Sequence, residues 1–231
     1  LSGAAAGRLP EAARLLSARF GRPVRCAHRR GPVWNLVLTI LSQNTTDANR
    51  DRAFAALAAR FPTLACLAAA DPLRVEEAIR PAGLARAKGR AILGFLHRLA
   101  RERGRLDLSF LAGMPLDEAR RYLTGFPGVG VKTASVVLLF SFGMPAFPVD
   151  THILRVARRL GLVPPKAGAA QAAAILEPHV PAGEHAPLHL NMIRLGRTIC
   201  RPRAPRCAGC PLLPICPEGR RRAKAGADGG R

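Results

Sequence analysis

The sequence predicts an all-α protein. Three observations carry that reading. Apolar residues recur at helical spacing along most of the 231 residues. Helix start and stop signals bracket those segments. No run alternates apolar and polar residues with period two, and no Asn-Gly or Asp-Gly pair joins two strand-like runs.

Taken in order, EAARLLSARF at 11–20 has apolar residues at helical spacing. VWNLVLTILSQ at 33–43 is apolar nearly all round, as a buried helix is, although periodicity alone also admits a strand. DANRDRAFAALAARF places Phe54, Leu57, Ala58 and Phe61 on one face. DPLRVEEAIR opens with Asp71 as N-cap and Pro72 at the first helical position. KGRAILGFLHRLARER, PLDEARRYLTG and VKTASVVLLFSFG continue the pattern, and DTHILRVARRLG ends at Gly161 as a C-cap. From Gly219 the tail is Arg, Lys, Gly and Ala without an apolar anchor, so 219–231 is expected to be a disordered basic tail.

Composition narrows the partner. The hydrophobic fraction of 48% suits a chain that buries a core, and Lys and Arg number 36 against 15 Asp and Glu, a formal net charge of +21. So large an excess predicts a polyanionic partner, nucleic acid or an anionic membrane. No unbroken apolar run is long enough to span a bilayer. LSGAAAGRLP lacks the charged and apolar regions of a secretion signal, so a cytoplasmic, nucleoid-associated protein is expected if the source is bacterial.

LTGFPGVGVKTASVVLLF, 123–140, is the most unusual stretch. It is not a phosphate-binding P-loop, because Val131 delays the lysine by one residue and the preceding segment is helical. It is not a dinucleotide fingerprint, because Thr133 stands where the third glycine belongs. A hairpin between two helices remains. The turn Pro127-Gly128-Val129-Gly130 would aim backbone N–H groups outward at a helix N-terminus, where the dipole favours an anion. Gly128 and Gly130 would allow unusual dihedrals and the close approach of a phosphate. Such a grip is indifferent to base sequence.

Lys132 has two readings here: a cation that neutralises phosphate, or a nucleophile whose amine is deprotonated by partial burial against TASVVLLF. Asp150 in FPVDTHILRV reads as the N-cap of a helix, held ionised by backbone N–H groups. A carboxylate so fixed could stabilise positive charge at an anomeric carbon. His152 reads as a packing residue. Cys66 reads as a small core residue, and Cys26 as isolated. The remaining cysteines, Cys200, Cys207, Cys210 and Cys216, are spaced C-x6-C-x2-C-x5-C. Four thiolates can hold zinc or an iron–sulfur cluster, and a single C-x2-C knuckle favours the cluster.

Together, FPGVGVKTA, VDTHILRV beyond it, LSQNTTD upstream and the four-cysteine loop resemble the endonuclease III family of helix-hairpin-helix DNA glycosylases. The resemblance runs from about Trp34 to Cys216. It implies two helical lobes with a DNA cleft between them. One is a six-helix barrel at 30–144 carrying the hairpin; the other joins 1–29 to 145–218 and holds a 4Fe-4S cluster. It implies Lys132 as nucleophile with Asp150 as its partner, and the four cysteines as cluster ligands. Gln43 would fill the gap left by an extruded nucleotide and Leu84 would wedge beside the orphan base. Gly128, Val129 and Gly130 would meet the DNA backbone, as would Arg201, Arg203 and Arg206 between the first two cysteines.

The implied activity is a bifunctional DNA glycosylase and AP lyase. It would remove oxidised pyrimidines from duplex DNA through a lysine Schiff base and nick the strand by β-elimination, as a monomer without membrane contact. LSQN in place of the family's common LSAQ, and Val131 where a basic residue is frequent, bear on lesion preference. An adenine-mismatch glycosylase would lack the hairpin lysine. A non-catalytic DNA-binding protein would use hairpin and cluster for grip alone.

Overall fold

The computed structural model describes the backbone of residues 3–23 and 30–228 and the side chains of 7–23 and 30–224. Cys26 lies outside them. Twelve α-helices and no strand occur among the described residues: α1 (Gly3–Phe20), α2 (Pro32–Leu41), α3 (Asp47–Arg60), α4 (Leu64–Ala68), α5 (Pro72–Ile79), α6 (Ala85–Arg103), α7 (Leu116–Thr124), α8 (Val131–Phe142), α9 (Thr151–Arg159), α10 (Ala169–Leu176), α11 (His185–Thr198) and α12 (Pro217–Asp228). None of them is long and apolar enough to cross a membrane. The chain divides into two compact units, Leu1–Arg25 with Pro145–Arg231, and Cys26–Met144.

The second unit contains α2 to α8, six helices of eight or more residues plus the five-residue α4. Its central helix is α2, which packs on α3, α6 and α8. That position explains a segment apolar on nearly every side: Val33, Trp34, Leu36, Val37, Ile40 and Leu41 are all buried. The buried Asn35 is satisfied by donating to Ser141 Oγ at 2.6 Å. Asp71 caps α5 through the Leu73 N–H at 2.7 Å, with Pro72 at the first position. Cys66 is exposed in the middle of α4, where the sequence suggested a core residue. Only Leu67 of that short helix is buried.

In the first unit α9 packs against α10, α11 and α12, and α1 packs against α11. Leu9, Leu16, Ile153, Val156, Leu160, Leu188 and Met192 share its core. Helix α9 ends as expected. Gly161 has φ +64° and the Leu162 N–H donates back to Ala157 O at 2.9 Å.

The tail departs from expectation: α12 continues through Gly219 to Asp228. Glu218 in its first turn accepts from Arg221 at 3.0 Å and Arg222 at 2.7 Å, spacings that stabilise a helix. The Gly219 N–H donates to Cys216 Sγ at 3.2 Å, so the tail is anchored to the cysteine loop.

Candidate nucleic-acid interface and catalytic groups

In the second unit α7 and α8 are joined by the expected hairpin, clamped onto α6. Phe126 stacks edge-on against Phe95 of α6 at 5.1 Å. Arg98, also on α6, lies 4.8 Å over the Phe126 ring and donates to Gly125 O at 2.6 Å. Gly128 has φ +79°, and a Cβ there would stand 2.8 Å from the Ala91 Cβ. Both its backbone angle and its contact with α6 therefore require glycine.

The other two turn positions differ from expectation. Val129 is 4% exposed and its N–H donates to Phe126 O at 3.1 Å. It is the apolar peg of the turn, with no donor left for a phosphate. Gly130 is ordinary extended backbone at φ −84°, ψ 173°. A Cβ on Gly130 would meet nothing within 4 Å. The protein itself makes no demand for glycine there. Helix α8 starts without a side-chain cap, and its first intrahelical bond is Ala134 N–H to Gly130 O at 2.9 Å. The N–H groups of Val131, Lys132 and Thr133 are therefore left for an outside acceptor.

Lys132 is exposed. The apolar neighbours expected to bury it, from Ala134 onward, turn into the core, while its place in the first turn faces solvent. The protein alone does not withdraw this amine from water. Among the basic residues the chain has just four lysines: Lys88, Lys132, Lys166 and Lys224. Arginine supplies the rest of the charge, and a guanidinium stays protonated and forms no Schiff base in a protein.

Gln43 follows the end of α2 and is half-buried. Its Nε2 donates to Gly128 O at 3.0 Å and to Thr133 Oγ1 at 3.1 Å. Because a carbonyl only accepts, the amide orientation is set and Oε1 points away. Leu84, at the start of α6, is 62% exposed with left-handed φ 50°, ψ 36°. A non-glycine residue pays about 1–2 kcal/mol for that conformation. The residues that hold these two loops, Thr133 and Lys88, carry no signal in the sequence beyond helix propensity.

In the first unit Asp150 caps α9, its Oδ1 accepting from the Ile153 N–H at 2.8 Å. Pro148 before it is fixed by His189, whose Nδ1 is 2.9 Å from the Pro148 carbonyl. His152 packs against Gly196 of α11, where an added Cβ would lie 2.8 Å from the His152 Cβ. Two arginines of α9 then hold the cysteine loop. Arg155 donates to Cys200 O at 2.9 Å and Gly196 O at 2.8 Å. Arg159 donates to Cys200 Sγ at 3.3 Å, Arg201 O at 2.7 Å and Pro202 O at 3.0 Å.

Cys200, Cys207, Cys210 and Cys216 line one cavity together with Arg159 and Arg206. Burial, and then the neighbouring thiols, push the Cys210 thiol up to about 11 and raise Cys216 in the same direction. Gathered thiolates repel one another, and a bound cationic group relieves that repulsion. Hydrogen bonds from Arg159 and the Gly219 N–H to sulfur suit thiolate ligands. Among the described residues no group of three or more such side chains is disposed to hold a metal ion. The donor set thus fits a thiolate-bound group by chemistry, without a closed ligand shell for one ion. Arg201, Arg203 and Arg206 are exposed on the same loop.

Residues 37–181 match the HhH-GPD superfamily of base excision DNA repair proteins. The chain is 33% identical over 216 residues to Endonuclease III of Thermotoga maritima, covering 94% of this chain and 95% of that one. It is 44% identical over 107 residues to Endonuclease III of Bacillus subtilis, spanning 46% of this chain and about half (49%) of that relative. A solved structure of a trapped covalent intermediate of Endonuclease III with DNA superposes with a TM-score of 0.79 at 31% identity, covering 94% of this chain and 98% of that one.

Proposed function

The chain belongs to the endonuclease III family within the HhH-GPD superfamily of base excision DNA repair proteins, and from that premise we propose that it is a bifunctional DNA glycosylase and AP lyase acting on oxidised pyrimidines in duplex DNA. One observation carries the reading: an exposed lysine, one of four in the chain, in the first turn of a helix whose N–H groups are uncapped. A helix start with free donors seats a phosphate. A lysine beside it, in a chain that uses arginine for charge, serves chemistry that arginine cannot perform.

The damaged nucleotide is turned out of the duplex. The neutral Lys132 amine attacks C1′ and the base leaves with the bonding electrons, taking up a proton. Opening of the sugar gives a Schiff base, loss of a C2′ proton follows, and the 3′ C–O bond breaks. Asp150, fixed by the Ile153 N–H, is assigned to stabilise positive charge at C1′. DNA covering the exposed amine supplies the desolvation that the free protein does not. Gln43 and Leu84 fill the space vacated in the stack. The four cysteines are assigned to a 4Fe-4S cluster, which when bound cross-links the loop presenting Arg201, Arg203 and Arg206 to phosphates.

Borohydride trapping on duplex DNA containing an abasic site tests the reading. The wild-type protein is expected to form a covalent adduct that Lys132→Ala abolishes. Trapping of the variant at the wild-type rate overturns the assignment.

A further inference from the structure

Lys88 is 3% exposed, an unusual state for a lysine. Its Nζ donates to Leu41 O at 2.9 Å and to Ala82 O at 2.8 Å. Among the described residues no carboxylate pairs with it, and burial lowers its pKa below the ordinary lysine range. A cation kept in so costly a place needs a reason in what it joins.

Both acceptors end an element. Leu41 closes α2, where unpaired carbonyls and the negative end of the dipole favour a cation. Ala82 closes the 3-10 turn Arg80–Ala82. Two residues beyond Leu41 stands Gln43, and two residues beyond Ala82 stands Leu84. The Lys88 backbone N–H also donates to Leu84 O at 3.0 Å. One residue therefore ties both loops and helps hold Leu84 in its left-handed conformation, a strained state that persists only where its surroundings over-determine it. Three donors on one compact ammonium suit the task better than a planar guanidinium.

We propose that Lys88 is a positioning residue that sets the Gln43 loop and the Leu84 loop in register, so that both side chains enter one gap in the base stack. This rests on the function proposed above, in which those two side chains replace the extruded nucleotide. The hairpin's phosphate grip does not depend on Lys88, so affinity and insertion separate.

The test uses a duplex with a tetrahydrofuran abasic analogue opposite 2-aminopurine, whose fluorescence rises when it is unstacked. Lys88→Met is expected to bind this DNA nearly as tightly as wild type, lose most of the fluorescence rise, and excise a paired lesion about tenfold more slowly in single turnover. Lys88→Arg, which keeps a cation, is expected to restore part of the rise. Leu99→Ala, a core change farther along α6, controls for lost stability and should keep the rise. A full rise in Lys88→Met, or an equal loss in Leu99→Ala, overturns the proposal. Should Lys88→Met fail to fold, reductive methylation of the wild-type protein decides. Lys88 is expected to be protected while Lys132, Lys166 and Lys224 react, and equal labelling overturns the staple. Failure of the wild-type protein to trap on abasic DNA defeats the underlying enzymatic reading instead.

Discussion

Gln43 reaches Gly128 across 85 residues of sequence, donating from Nε2 to its carbonyl at 3.0 Å. The same nitrogen donates to Thr133 Oγ1 at 3.1 Å, so the side chain assigned to the DNA stack rests on the turn assigned to the phosphate. The hairpin thereby fixes where the Gln43 side chain stands. Gln43→Met keeps the volume and removes both bonds, which should cost ~1–2 kcal/mol of stability. In a double-mutant cycle with Thr133→Val, the two changes should couple by ~0.5–1 kcal/mol. Additive losses in urea melts would show that the amide is not held there in solution.

The two glycines of the turn should answer alanine in opposite ways. Gly128→Ala forces a Cβ into a positive-φ position and to within 2.8 Å of Ala91, and should destabilise the protein by about 1–3 kcal/mol. Gly130→Ala meets open space at φ −84°, so stability should stay within about 0.5 kcal/mol of wild type. DNA affinity should nevertheless fall in Gly130→Ala, because the methyl enters the space a phosphate would occupy. An unchanged Kd would remove the hairpin from the interface.

This contrast marks what was legible in the sequence. The hairpin, the Asp150 cap and the cysteine spacing are local patterns, visible within a dozen residues. Which turn residue faces inward is decided by α6, so Val129 read as a contact residue and proved to be a buried peg. The sequence left Lys132 open between a solvated cation and a partly buried nucleophile; helix phase turns its apolar neighbours inward and leaves it exposed. Lys88 sits in RAKGR and looks like any solvated helix cation; only the convergence of two loops reveals it. The tail from Gly219 lacks an apolar anchor, but Glu218 and the Cys216 sulfur supply polar ones.

Asp150 caps α9, and two substitutions can separate that cap from the chemical task proposed for it. Asparagine still accepts from the Ile153 N–H, so Asp150→Asn should keep the helix cap and lose little stability. Asp150→Ala should lose about 1 kcal/mol through the missing cap. Turnover should fall at least about tenfold in both, with DNA affinity little changed. Comparable losses of affinity and turnover would make the carboxylate purely structural.

His185 gives the folded protein a pH dependence of known sign. It is 9% exposed, and burial lowers its pKa, opposed in part by Glu177. The unfolded chain has an ordinary imidazole near about 6.5 and takes up a proton before the folded chain does. Stability should therefore fall as pH drops through about 6.5, and level off below the folded value. Urea melts across that range should show a shallower slope for His185→Gln. Equal slopes would mean that the imidazole is not buried in its neutral form.

Arg159 should decide how firmly the cysteine loop keeps its ligand. Its guanidinium reaches Cys200 Sγ, Arg201 O and Pro202 O, and its own carbonyl lies 3.4 Å from Cys216 Sγ as acceptor. The residue thus touches the first and last thiols of the set from one turn of α9. Hydrogen bonds to sulfur draw charge from a thiolate and tune the group it binds. With the 4Fe-4S cluster proposed above, Arg159→Met should purify with less iron per chain than the wild type. Its visible absorbance should bleach faster under a chelator in air, while the far-UV signal of the helices declines only after the colour is lost. Bleaching at the wild-type rate would mean that the cysteines hold their ligand without help from α9.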